Sequence, residues 1–243
     1  MNPMAEHRST FTLLMLLSLL GFGCAAPLAP LDGKLSGLNS YRQGEPRLDV
    51  NITDWEKRFT PIKGSVEFSI VKGDEQGSTI EYTTSAEKDK QWTMTLKDHS
   101  TFTWQLEDAG FTCSTNIDVP SGTTSIFTPP LLVVPRDLKP GQPVTTKGTI
   151  VVNDTAPPSK NVASGTWTIS ITHDADISLK LGDTVYDCAR LKTVYTADLG
   201  LATVSRTSYD FYAADAGWVC EVFDQTVTKV IIPSTTTGTW IRK

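Results

Sequence analysis

Trp92-Thr93-Met94-Thr95-Leu96, a polar break at Lys97-Asp98-His99-Ser100, then Thr101-Phe102-Thr103-Trp104-Gln105-Leu106: in this stretch every second residue is large and apolar, and its neighbours are threonine or glutamine. A period of two sorts side chains onto opposite faces of an extended chain, so each half reads as a strand with one dry face and one wet face. The same alternation appears at Val66, Phe68 and Ile70, at Ile80 and Tyr82, at Trp167, Ile169 and Ile171, and at Ile177, Leu179 and Leu181. Further strands are expected over 146–152, 184–195, 201–212 and 218–232. Turns are expected at Lys72-Gly73-Asp74, Asp108-Ala109-Gly110, Asp198-Leu199-Gly200 and Asp215-Ala216-Gly217. Thirty-four threonines push the same way, because a β-branched side chain suits a pleated, half-buried surface. No helical stripe of three turns is present. The expected fold is all-β: a curved antiparallel sheet, or an open barrel or sandwich.

Composition narrows the function. The formal net charge of −5 is spread without a basic patch, which excludes a nucleic-acid partner. No glycine-rich phosphate loop and no G-x-S-x-G nucleophile turn is present. Beyond residue 23 the only histidines are His99 and His173, each beside an aspartate at the end of an alternating segment. Two are too few for a metal centre of ordinary type. No metal site, cofactor or catalytic residue is therefore assigned.

The first 24 residues read differently. Arg8 precedes an apolar run from Phe11 to Phe22 that closes on Gly23-Cys24. About a dozen apolar residues suit an export signal and fall short of the roughly 20 needed to span a bilayer. The segment resembles the signal of bacterial lipoproteins, with Gly21 standing where an aliphatic residue is usual. That resemblance implies cleavage before Cys24 and acyl chains on it, and hence a membrane partner through the anchor. Ala25 in the following position implies the outer membrane by enteric sorting rules. A rival cleavage after Ala25 leaves a secreted or periplasmic protein.

These readings divide the chain into a signal at 1–23, a lipid-attachment cysteine with a proline-rich flexible tether at 24–48, a β module at 49–128 and a second at 129–243. The second opens on a crossing at 129–145 marked by Pro129, Pro130, Pro135 and Lys139-Pro140-Gly141. Residues 92–113 lie on 167–188 without a gap, Trp92 meeting Trp167 and Cys113 meeting Cys188, so the modules are candidates for duplication. Residues 127–232, with that crossing and the closing Tyr212-Ala213-Ala214-Asp215-Ala216-Gly217-Trp218-Val219, resemble exported β-sheet proteins of unknown function. The resemblance implies a curved sheet or open barrel and brings no catalytic residue.

Three functional classes remain. One is a structural or interaction role in the envelope, with another envelope protein as partner. The second is a binder or carrier of an apolar ligand in the concavity of the sheet, with Trp92, Trp104, Trp167 and Trp218 as candidate lining residues. The third is a hydrolase built on converging carboxylates. With Cys24 acylated, Cys113, Cys188 and Cys220 remain for the domain, and Cys188 with Cys220 is a candidate disulfide. In a simple meander two intervening strand spacings, about 9–10 Å, would keep them apart. Intact-mass measurement of protein purified from membranes should show a chain beginning at Cys24 with added acyl mass. A chain beginning at Ala26 with no added mass would establish the rival cleavage.

Overall fold

The computed structural model describes residues 31, 33–48, 52–86 and 88–243; Cys24 and the prolines up to Pro30 lie outside them. Twelve antiparallel strands form one sheet that closes on itself. They are β1 (Gly64–Gly73), β2 (Thr79–Ala86), β3 (Gln91–Leu96), β4 (Ser100–Glu107), β5 (Gly110–Asp118), β6 (Thr123–Pro135), β7 (Val144–Asp154), β8 (Asn161–Leu181), β9 (Thr184–Asp198), β10 (Ala202–Ala213), β11 (Gly217–Lys229) and β12 (Ile232–Arg242). Each strand pairs with the next in sequence. β1 pairs with β12, from Phe68 opposite Arg242 to Gly73 opposite Gly238, and this closes the tube. The barrel is thus closed rather than open, and has no edge strand.

The alternation decides the two faces. Phe68, Ile80, Met94, Leu96, Phe127, Ile150, Trp167 and Ile169 are buried, while Ser65, Glu81, Thr83, Gln105, Lys147, Thr166 and Ser205 are exposed. Apolar residues line the lumen and polar residues face outward, the inverse of a membrane-spanning barrel.

The ends differ. At one rim lie the turns joining β1 to β2, β3 to β4, β5 to β6, β7 to β8, β9 to β10 and β11 to β12. The other end receives the helix α1 (Trp55–Phe59), whose Trp55 and Phe59 are buried. Trp55 stacks on Phe111 at 5.2 Å, its indole N–H donating to the Pro135 carbonyl at 2.8 Å, and Phe59 packs edge-on to Tyr212 at 5.1 Å. Arg58 fixes the helix to the wall by donating to the Asp187 carbonyl at 2.8 Å. A five-residue helix has little stability of its own; these contacts hold it as a plug.

The stretch expected as tether is in part a structural element. A 3-10 turn (Gly33–Leu38) buries Leu35 and Leu38 on the outside of the barrel. They join a cluster with Ile177, Leu179, Cys188, Phe211, Val219, Cys220 and Ile241. Residues 41–47 then lie along β8, the Gln43 N–H donating to the Ser178 carbonyl at 2.9 Å and the Lys180 N–H to the Tyr41 carbonyl at 2.7 Å. This strap covers the part of β8 that extends past β7, whose pairing with β8 stops at Val144 opposite Ile171.

Other boundaries also shift. β6 runs without a break across 128/129, so the chain builds one sheet through both expected modules, and only 136–143 links β6 to β7. The proposed repeat fails. Residues 92–107 are the β3–β4 hairpin, while the matched stretch lies in the single strand β8. Asp98 takes the left-handed conformation, φ 62°, and turns the chain there. At the equivalent place β8 has a bulge, with His173 opposite Leu191 and Ala175 opposite Arg190. A bulge exchanges the faces of a strand. Thus Trp167, Ile169 and Ile171 fill the lumen, while Ile177, Leu179 and Leu181 face outward to the strap, although their spacing in sequence never breaks.

The turn before β11 needs backbone freedom. Gly217 has φ +66°, and only Ile62 and the Thr60 carbonyl lie near the position of a Cβ, at 3.7–3.9 Å. A side chain would therefore have room but not the conformation. Gly217→Val should destabilise the domain by about 1–2 kcal/mol, measurable by thermal or urea unfolding. An unchanged midpoint would contradict the assigned conformation.

Candidate functional site

Along β10 the even-numbered residues Arg206, Ser208, Asp210 and Tyr212 face the lumen. On β11 their cross-strand neighbours are Gln225, Phe223 and Glu221, and a bulge then brings Trp218 opposite Tyr212. On β12, Trp240 lies opposite Glu221 and Gly238 opposite Phe223. The missing Cβ of Gly238 makes room for that ring, whose nearest atom would come within 2.3 Å of it. These residues form a wall that carries several charged and polar groups into a largely apolar interior.

The wall is internally bonded. Arg206 donates to a Glu221 carboxylate oxygen and to Gln225 Oε1 at 3.3 Å, and its guanidinium lies 4.2 Å from the Phe223 ring centre. The Ser208 hydroxyl donates to Asp210 Oδ2 at 2.7 Å. Burial, and then the negative charge of Glu221, push the Asp210 carboxyl up to about 7; the Ser208 hydrogen bond and Arg206 oppose the rise. Two carboxyl groups thus face each other across one strand pair, one paired to a guanidinium and the other holding its proton up to neutral pH. Beside them the aromatic rings are in contact: Phe223 with Trp240 at 5.3 Å, Trp240 with Trp218 at 6.2 Å, and Trp218 with Phe68 at 4.6 Å and Tyr82 at 5.3 Å.

Between this wall and the apolar side of the barrel lies a cavity of about 490 Å³. Met94, Leu96, Phe102, Trp104, Cys113, Phe127 and Ile169 line its apolar side, and Thr193 and Tyr195 border it from β9. It extends from His99, Ser100 and Asp118 near the turn rim to Phe59 and Ile62 at the plug. Twelve strands explain the space. An eight-stranded barrel is narrow enough for its side chains to meet, and the diameter grows with strand number.

Of the four tryptophans expected to line a concavity, Trp104 and Trp218 border the cavity. Trp167 is fully buried in the core, donating to the Thr149 carbonyl at 2.9 Å, and Trp92 packs edge-on to Phe111 at 5.3 Å. Sequence reasoning missed Trp240, Arg206, Asp210 and Glu221. The alternation was the available signal for the last three, since each holds an inward position in a strand that was recognised.

Cys188 and Cys220 are not joined: Cys113, Cys188 and Cys220 are all buried free thiols. Cys188 and Cys220 share the outer-face cluster, but β10 lies between their strands, which is the separation expected for a meander. Burial pushes the Cys113 and Cys188 thiols up to about 12, and Cys220 is raised well above its usual value. His99 sits at the rim, 3.2 Å from a Glu75 carboxylate oxygen. His173 is fully buried at the β8 bulge, 3.2 Å from Asp176 Oδ2. The histidines stand in separate places, and the described residues contain no cluster suited to a metal.

The fold and site together define an up-and-down β-barrel with a ligand-sized lumen. No family model matches the chain, and no curated protein is similar to it. A solved structure described as the hypothetical lipoprotein YmcC from Escherichia coli K12 is similar at 10% identity, with a TM-score of 0.40, over 80% of this chain and 92% of that one.

Asp210 makes a thermodynamic prediction. Its carboxyl lies near 3.8 when unperturbed and near 7 in the folded protein. Between these values the folded state holds a proton that the unfolded state has released, so stability should fall as pH rises from about 4 to about 7. Asp210→Asn should remove that slope, giving a melting temperature that gains on the parent's as pH increases. Parallel profiles would show that Asp210 ionises normally.

Proposed function

We propose that the protein is a lipid-anchored protein of the bacterial envelope that binds an apolar molecule with a polar group inside its barrel. The observation that carries the reading is the cavity of about 490 Å³, apolar on one side and hydrogen-bonding on the other. Pockets for small molecules occupy roughly 300–1,000 Å³ and combine an apolar lining with a few placed polar groups. Here Met94, Phe102, Trp104 and Phe127 would take the apolar part, while Asp210, Glu221 and Arg206 would receive the polar group. Anchoring rests on Gly23-Cys24, and the outer membrane on Ala25.

A catalytic reading has one observation in its favour. Asp210 and Glu221 are adjacent carboxyl groups in different states, which is how an acid and its partner are set apart. Against it, both project from the same wall as cross-strand neighbours. Glycoside chemistry places its carboxyl groups on two sides of the bond to be broken. Binding without turnover is therefore the better reading.

Native mass spectrometry of protein purified from membranes should find an intact non-covalent ligand, released on denaturation. Met94→Trp and Thr193→Phe would each fill the cavity from a different wall. Either variant, if its melting temperature stays near the parent's, should bind an environment-sensitive apolar dye at least tenfold more weakly. A parent that retains no ligand and binds no dye would overturn the proposal.

A further inference from the structure

The four most exposed large apolar side chains among the described residues are Ile231 (83%), Leu201 (80%), Val230 (75%) and Ile232 (73%). They lie at two hairpin tips: Leu201 between β9 and β10, and Val230 and Ile231 with the first residue of β12, Ile232, at the β11–β12 tip. The Val230 N–H donates to the Leu201 carbonyl at 2.7 Å, so the two tips form one unit. Val162, 60% exposed at the start of β8, adds to the same rim. Single exposed apolar residues, such as Val185 or Val119 here, need no explanation, but a contiguous apolar tip does.

We infer that this tip docks into a lipid surface, with the rim of the barrel facing the membrane that holds the anchor. The course of the chain selects lipid as the occupant. Followed backwards from its pairing with β8, the strap crosses the outer cluster that includes Val219 and Cys220. It reaches Asp224, where Lys34 forms an ion pair. On β11 that is progress towards the rim: Val219 and Cys220 lie near the plug end and Lys229 at the tip. Asp224 to Val230 is about 20 Å along a strand. The chain from Cys24 to Leu31 can reach roughly 25 Å. A segment of that length is long enough to bring acyl chains on Cys24 to the level of Leu201 and residues 230–232, where a membrane holding them meets the tip. The partner is lipid acyl chain at the headgroup boundary, where short apolar protrusions gain by burial.

The inference shares the anchored reading above but not the cavity. Its test uses the acylated protein in phosphatidylethanolamine–phosphatidylglycerol vesicles, with an environment-sensitive fluorophore on Ile231→Cys or, at the opposite end, on Asp183→Cys. The native thiols are buried and held un-ionised, so the introduced cysteine reacts selectively. The label at position 231 should shift to the blue and be quenched severalfold by nitroxide-bearing lipid, while that at 183 stays aqueous. The mature chain with Cys24→Ser should show the same shift at millimolar lipid, and adding Ile231→Asp to that unacylated chain should prevent vesicle binding while leaving the melting temperature unchanged. An aqueous label at 231 in both forms overturns the inference. So does sedimentation showing a dimer that Ile231→Asp dissolves, which would give the tip to a second copy of the chain. Dye binding in the lumen is read in detergent, so either proposal can fail without the other.

Discussion

The pairing of residues 68–73 with 238–242 turns a twelve-stranded sheet into a tube, and the rest of the architecture answers to that closure. A tube of this girth has no exposed edge, but its inner faces stand too far apart for aliphatic side chains to meet. Three devices reduce the space: the contacting rings from Phe223 to Tyr82, the α1 plug seated on Phe111 and Tyr212, and large residues such as Trp104 and Trp167. What remains unfilled is the cavity. Its position follows from the same geometry, since it lies between the aromatic and charged wall of β10–β12 and the largely apolar side of β3–β6.

Closure also creates an outer surface with its own requirement. The β8–β9 hairpin projects beyond the last β7 pairing, and the bulge after His173 turns Ile177, Leu179 and Leu181 away from the lumen. Left bare, these residues with Phe211, Val219 and Ile241 would form an exposed apolar patch. The strap covers them with Leu35 and Leu38 and supplies the hydrogen bonds that the free edge of β8 lacks. The stretch that precedes α1 is therefore held against the barrel wall by apolar packing and backbone hydrogen bonds.

The all-β class and most strands were legible because alternation is a local signal: Trp92, Met94 and Leu96, or Trp167, Ile169 and Ile171, mark a dry face without reference to any partner. Closure was not legible, because β12 is written as Pro233-Ser234-Thr235-Thr236-Thr237-Gly238 and carries almost no apolar alternation until Trp240. The β8 bulge was hidden for the opposite reason. Its apolar spacing is unbroken, so the sequence reads as one face where the structure has two. The strap was obscured by Pro46 and three glycines, which belong to a segment that packs as an irregular turn. In the site, inward placement of Asp210 and Glu221 follows from the period of β10 and β11. Their confrontation depends on register, which a two-residue period leaves undetermined.

Local consistency usually holds along a foldable chain, and departures from it concentrate where something other than folding is at stake. Two departures stand out in this barrel. Asp210 is enclosed beside Glu221 although its charge is disfavoured there, which costs folding stability once the carboxyl ionises. Leu201 and Val230-Ile231-Ile232 are placed in water although threonine serves that role elsewhere on the exterior. Neither arrangement is required to close the sheet: an amide at 210 could keep the Ser208 hydrogen bond, and polar residues would suit both turns. One departure lies on the wall of a large space in the lumen, and the other on the rim formed by the β9–β10 and β11–β12 turns. Their coincidence with those two places is the physical ground for reading the lumen as a receptor and the rim as a membrane contact.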